Sequence, residues 1–141
     1  MKAPPSTLLG FDYGEWRIGV ATGQWVTATA QPLETLHNRE RHAVDWTAVG
    51  ALIKAWQPDA VVVGYPTEDD GTPYPVARAA RKFANRIHGR YGLPVHLADE
   101  RLTSDEARRL AREAGQSDDK PIDALAAAII LETWIQVQAR G

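Results

Sequence analysis

Between Pro58-Asp59 and a long polar loop lies one continuous apolar run, Ala60-Val61-Val62-Val63-Gly64. A strand with no polar face is buried on both sides, as in a sheet covered by helices above and below. That requirement ties the chain to an α/β fold, and the flanking periodicities agree with it. Upstream, Val49, Leu52, Ile53 and Trp56 recur at helical spacing, which predicts a helix over residues 42–57. Downstream, a proline- and acid-rich loop over 65–75 precedes a second helix at 76–91 and a short strand at 94–97.

Ahead of these elements, residues 8–13, 17–22 and 27–36 read as three strands joined by the turns Gly14-Glu15-Trp16 and Gly23-Gln24. Pro32 marks the third as an edge strand. After them, Thr103 opens a third helix with Glu106 three places on, a capping box. Residues 114–119 form a polar link, and residues 121–139 a final helix that is apolar over most of its first half. The expected architecture is a mixed five-stranded sheet flanked by helices: an antiparallel meander of strands 1–3, then parallel strands 4 and 5, in one domain of residues 1–141. Right-handed crossovers place the later strands parallel to the first. Chemistry in such sheets gathers at the carboxyl ends of the parallel strands.

Three acids far apart in sequence fall at that edge: Asp12 at the end of the first strand, Glu100 just past the last strand, and Asp123 in the first turn of the final helix. Carboxylates brought together repel one another, and a divalent cation removes the repulsion. Oxygen-only ligands point to Mg²⁺ or Mn²⁺, which suits phosphodiester hydrolysis. Each acid also has a local reading. Asp12 can accept hydrogen bonds in the Gly14 turn, Asp99 or Glu100 can pair with Arg101, and Asp123 can simply favour a helix N-terminus. The chain has no Cys, which excludes disulfides, thiolate metal sites and a Cys nucleophile.

The formal net charge of −2 gives no global support for nucleic-acid binding, so any basic surface is local. One such surface is in the second helix, where Arg78, Lys82, Arg86 and Arg90 recur at steps of four. Such a stripe is either a solvated face or a phosphate-binding footprint. Trp16, in the turn after Asp12, is expected to be exposed and able to stack on a base, or to pack against Trp25. The absence of Cys, of an apolar N-terminal leader and of any stretch near the roughly 20 apolar residues of a membrane helix suits a cytoplasmic protein with no membrane contact.

Four segments, in order and spanning nearly the whole chain, resemble the YqgF/RuvX family of Holliday-junction-resolvase-like proteins. They are Gly10-Phe11-Asp12-Tyr13-Gly14 with Arg17-Ile18-Gly19-Val20-Ala21; Val61-Val62-Val63-Gly64-Tyr65-Pro66 with Asp70-Gly71; Asp99-Glu100-Arg101-Leu102-Thr103 with Glu106-Ala107; and Lys120 with Ile122-Asp123-Ala124-Leu125-Ala126-Ala127. The resemblance implies a ribonuclease H-like fold and a metal-dependent nuclease linked to maturation of the 5′ end of 16S ribosomal RNA. It carries the catalytic and metal-binding roles onto Asp12, Glu100 and Asp123. The expected partners are structured RNA or branched DNA and pre-ribosomal particles. Arg17, Arg78, Lys82, Arg86, Arg101 and Lys120 are the expected nucleic-acid contacts. A monomer suffices to trim RNA, whereas cutting both strands of a junction calls for a homodimer. The chain departs from the family at Glu15-Trp16, where a small or basic pair is usual, and at Gly23-Gln24, where Ser-Asp is common. Lys120 stands where junction resolvases carry a further acid.

Overall fold

A computed structural model describes residues 6–65, 75–99 and 122–140. The expected third helix from Thr103, the polar link 114–119 and residues 66–74 of the expected loop lie outside the described residues. Three strands open the chain: β1 (Thr7–Asp12), β2 (Arg17–Gln24) and β3 (Thr29–His37). Helix α1 (Trp46–Trp56), strand β4 (Ala60–Tyr65), helix α2 (Pro75–Tyr91) and strand β5 (Val95–Asp99) follow, and helix α3 (Ile122–Arg140) comes last. The sheet order is β3-β2-β1-β4-β5. β1, β2 and β3 pair antiparallel, and β4 and β5 run parallel to β1. This is the mixed five-stranded sheet that the sequence predicts.

Burial on both faces explains the unbroken apolar run in β4. Val61 and Val63 join Leu9, Phe11, Val49, Phe83 and Ile87 on the face covered by α1 and α2. Ala60 and Val62 join Leu8, Ala21, Leu131 and Ile135 on the face covered by α3. The alternation along β1 and β4 is the period of two of a strand, with both phases apolar.

Two elements differ from expectation in ways their local chemistry explains. Helix α1 starts four residues later than its apolar spacing suggests, because Asp45 caps it: its Oδ1 accepts the Ala48 N–H at 3.1 Å. Such a cap is worth about 1 kcal/mol. The helix ends at Gln57, whose left-handed backbone (φ 46°) lets its N–H reach Ile53 O at 2.9 Å. β3 is the edge strand that Pro32 demands, and its register against β2 shifts between Val20 and Ala21, so that Leu33 is the extra residue. An edge position and a bulge are where a residue without an N–H is tolerated.

Helix α3 lies unusually close to the sheet because glycines floor its path. A Cβ on Gly10 would stand 2.9 Å from the Leu131 Cβ, and one on Gly64 3.0 Å from Ile130 Cδ1. Gly10→Ala is therefore expected to lower stability by about 1–3 kcal/mol through overpacking. Gly89→Ala in α2, where an added Cβ meets nothing within 4 Å, is expected to raise it by about 0.5–1 kcal/mol. Urea unfolding of the two variants beside the wild type measures both.

Candidate active site

Asp12 is the last residue of β1 and is half-buried. Across the sheet it faces Gly19 of β2 on one side and Gly64 of β4 on the other. Tyr65 of β4 is in turn level with Asp99, the last residue of β5. The carboxyl ends of β1, β4 and β5 thus form one edge, with acids at both of its flanks. Glu100 follows Asp99 directly in the chain but lies outside the described residues, as do Arg101 and Lys120.

Asp123 reaches this edge through a glycine. Residues directly opposite in an antiparallel pair point to the same face, with Cβ atoms about 5 Å apart. The residue opposite Asp12 is Gly19, and the space its missing Cβ would fill holds the Asp123 carbonyl oxygen. The first turn of α3 therefore rests on bare backbone beside Asp12. The Asp123 backbone is thus seated next to the strand end that carries Asp12. Among the described residues no cluster of three His, Cys, Asp or Glu side chains could hold a metal. The Asp12 and Asp123 carboxylates offer hard oxygen donors, which suit a divalent cation such as Mg²⁺ or Mn²⁺.

Arg17, the first residue of β2, reaches into the site. Its Nε stands 3.3 Å from Asp123 Oδ2. The arginine side chain is more than half exposed, so this pair contributes little to stability. Arg17 was expected as a phosphate contact. Here it sits between the acid and solvent, where a phosphate oxygen would compete for it.

The turn between Asp12 and Arg17 is clamped by the segment after β3. Glu15 O accepts from Asn38 Nδ2 and from the His42 N–H, each at 2.8 Å, and Trp16 O accepts the Asn38 N–H at 2.9 Å. The Glu15 carboxylate takes both ends of the Arg41 guanidinium at 3.0 and 2.9 Å. The Tyr13 hydroxyl meets His42 Nδ1 at 2.7 Å. Burial raises the Tyr13 phenol above its ordinary 10.0, the Glu15 charge adds to that, and Arg86 opposes it. So Glu15, one of the positions at which the chain departs from its resemblance, is a clamp residue. Trp16 beside it is 55% exposed, as its place in the turn predicts. The cluster Asn38-Arg39-Glu40-Arg41-His42 carries no local signal that it would close on a turn some 25 residues earlier, and sequence reasoning missed it.

The hydrogen bonds from Arg41 hold the Glu15 carboxyl below its ordinary 4.5. Its contribution to stability is complete above that value and disappears as pH falls through the lower folded one. Glu15→Gln is thus expected to melt below the wild type at pH 7, with the gap closing in acid below about pH 4. Paired thermal melts from pH 3 to 7 measure this.

The RuvX family model, described as Holliday junction resolvase, matches residues 6–137. Relatives include a protein of Azotobacter vinelandii, 49% identical over 97% of this chain and 98% of its own length. Another, from Pseudomonas fluorescens, is 51% identical over 94% of this chain and 93% of its own. Both bear the name "Putative pre-16S rRNA nuclease". Among solved structures, Thermus thermophilus RuvC in complex with a Holliday junction substrate superposes with a TM-score of 0.60 at 17% identity, covering 94% of this chain and 96% of that one. The yeast mitochondrial resolvase Ydc2 superposes with a TM-score of 0.57 at 11% identity, covering 99% of this chain and 82% of that one. These likenesses place the fold with the RuvC and ribonuclease H-like proteins.

Proposed function

The chain belongs to the RuvX family, and from that premise we propose that it is a divalent-metal-dependent nuclease acting on structured RNA, in maturation of the 5′ end of pre-16S ribosomal RNA. The observation that carries this reading is the close seat of Asp123 against Gly19, opposite Asp12. Acids gathered at one strand end repel one another; Arg17 offsets this at Asp123 in the metal-free chain, and a shared divalent cation would offset it for both acids. The names of the relatives support RNA as the substrate.

In this reading Asp12, Asp123 and Glu100 would hold Mg²⁺ or Mn²⁺. Bound there, the ion supplies Lewis-acid chemistry at a phosphodiester. The protein's own residues do the rest. The Asp12 backbone is positioned by β1, with neighbours in register on both sides. Asp123 is positioned by backbone contact and not by a flexible side chain. Arg17 neutralises Asp123 before substrate binds and can turn to a phosphate oxygen when one arrives. Arg78, Lys82 and Arg86 present positive charge along exposed positions of α2, and Arg101 and Lys120, outside the described residues, are further proposed nucleic-acid contacts.

Purified protein is expected to cleave a structured precursor RNA in Mn²⁺ and to be silent in EDTA. Asp12→Asn is expected to cost at least about a hundredfold in cleavage rate, more than loss of an outer-sphere partner of a metal site, while the melting curve stays cooperative. Full activity in that variant sinks the site. Cleavage confined to a four-way DNA junction offered side by side would move the substrate to DNA. Metal-independent binding with no cleavage of either would make the chain a non-catalytic binding module.

A further inference from the structure

On the face of the sheet opposite Asp123, a cavity of about 360 Å³ opens beside the same edge. Tyr13, His42 and Trp46 line one part of it, and Arg78, Lys82 and Arg86 another. The cations come from successive turns of α2, spaced by four residues, so they form a row along one wall. No acid is found among the described residues that line it. The volume lies at the lower end of the roughly 300–1,000 Å³ typical of small-ligand sites.

The aromatic part is held rigid from behind. Buried Phe83 packs against Tyr13 at 5.3 Å and against Trp46 at 5.5 Å between ring centroids. Arg90 lies over Trp46 at 4.3 Å. His42 is stacked nearly parallel to Tyr13 (7°) and fixed by the hydroxyl contact described above. Rings fixed in advance lose little entropy when another ring stacks on them. Tyr13 is only 5% exposed and forms the floor. The partly exposed rings of His42 and Trp46 stand beside the row of cations, the pattern that binds unpaired nucleotides with the base on rings and the phosphate on cations.

We propose that this cavity takes one unpaired nucleotide of the RNA substrate, adjoining the phosphodiester at Asp12. The proposal rests on the nuclease reading for the identity of the RNA, and its geometry follows from two consecutive residues. Asp12 and Tyr13 are neighbours in the chain, about 3.8 Å apart at Cα, and they point to opposite faces of the sheet. Tyr13 packs with the α1 and α2 core, whereas Asp12 shares its face with Gly10 under α3. An RNA strand that crosses the sheet edge at Asp12 thus leaves the acids on one face and meets rings and cations on the other. A base in a continuous duplex is stacked on both sides and cannot enter, so the cavity selects substrates with a single-stranded segment next to the cleavage point. A nuclease with this cavity would trim at the junction between paired and unpaired RNA.

The test uses the full-length wild-type chain in EDTA with two labelled RNA hairpins, one blunt and one carrying a four-nucleotide unpaired tail. Tail positions are substituted one at a time with 5-iodouridine for photocrosslinking. The tailed hairpin is expected to bind roughly 5- to 100-fold tighter, the range that one stacked base provides. The crosslink is expected on His42 or Trp46, the partly exposed rings of the cavity. Lys82→Gln and Arg86→Gln, both at exposed positions, are expected to weaken binding and to lower the salt dependence by about one unit each. Equal affinity for the two hairpins, no binding of either, or crosslinks only outside the cavity would overturn the proposal. Adding Mn²⁺ separates it from the nuclease reading: RNA held and crosslinked in the cavity but never cut leaves the nucleotide site standing without the nuclease. Cleavage with no preference for the tail does the reverse.

Discussion

Helix α3 can reach the sheet only because the sheet lacks side chains along its path. Gly10 and Gly64 lie beneath Leu131 and Ile130, and Gly19 lies beneath the Asp123 carbonyl. Much of the rest depends on this close approach. It closes one half of the hydrophobic core around Leu8, Val62, Leu131 and Ile135. It also sets the height at which the helix starts, and so places Asp123 beside Asp12. A side chain at Gly19 would lift the first turn of the helix and separate the acids, whatever it did to stability. The same glycines serve packing and chemistry, and the two cannot be tuned independently.

Charge at this edge is arranged in layers. Asp12 and Asp123 share the face under α3, with Arg17 against the outer acid. The turn that joins Asp12 to Arg17 is tied down by backbone hydrogen bonds and by the Glu15–Arg41 pair. The second cationic group, Arg78, Lys82 and Arg86, lies on the opposite face, where no described acid neutralises it. A polyanion approaching the edge therefore meets negative carboxylates on one face and positive side chains on the other.

The Tyr13–His42 contact joins these two regions. Tyr13 is held in the α1 and α2 core by Phe83 while its hydroxyl holds the segment that clamps the turn. Through it, the packing of the aromatic cavity and the position of the turn after Asp12 are mechanically linked. The exposed Trp16 lies at the other end of the same turn.

The sequence by itself determined the layered α/β architecture. A strand run with no polar face must be covered twice, and helical spacing before and after it supplies the cover. It also determined which acids are candidates, because Asp12, Glu100 and Asp123 each follow a recognisable strand end or open a helix. The start of α1 was less legible: the capping Asp45 stops a periodicity that otherwise runs on from His42. Tertiary structure alone decided that the first turn of α3 seats on Gly19, across from Asp12, since a glycine in a strand reads the same whether or not a helix rests on it. It alone decided that Glu15 closes on Arg41 and that a row of cations on α2 faces Tyr13, His42 and Trp46. Local sequence encodes periodicity, caps and turns. Partners some 25 to 100 residues apart are chosen by how the elements pack, and the chemistry of this edge is made by such partners.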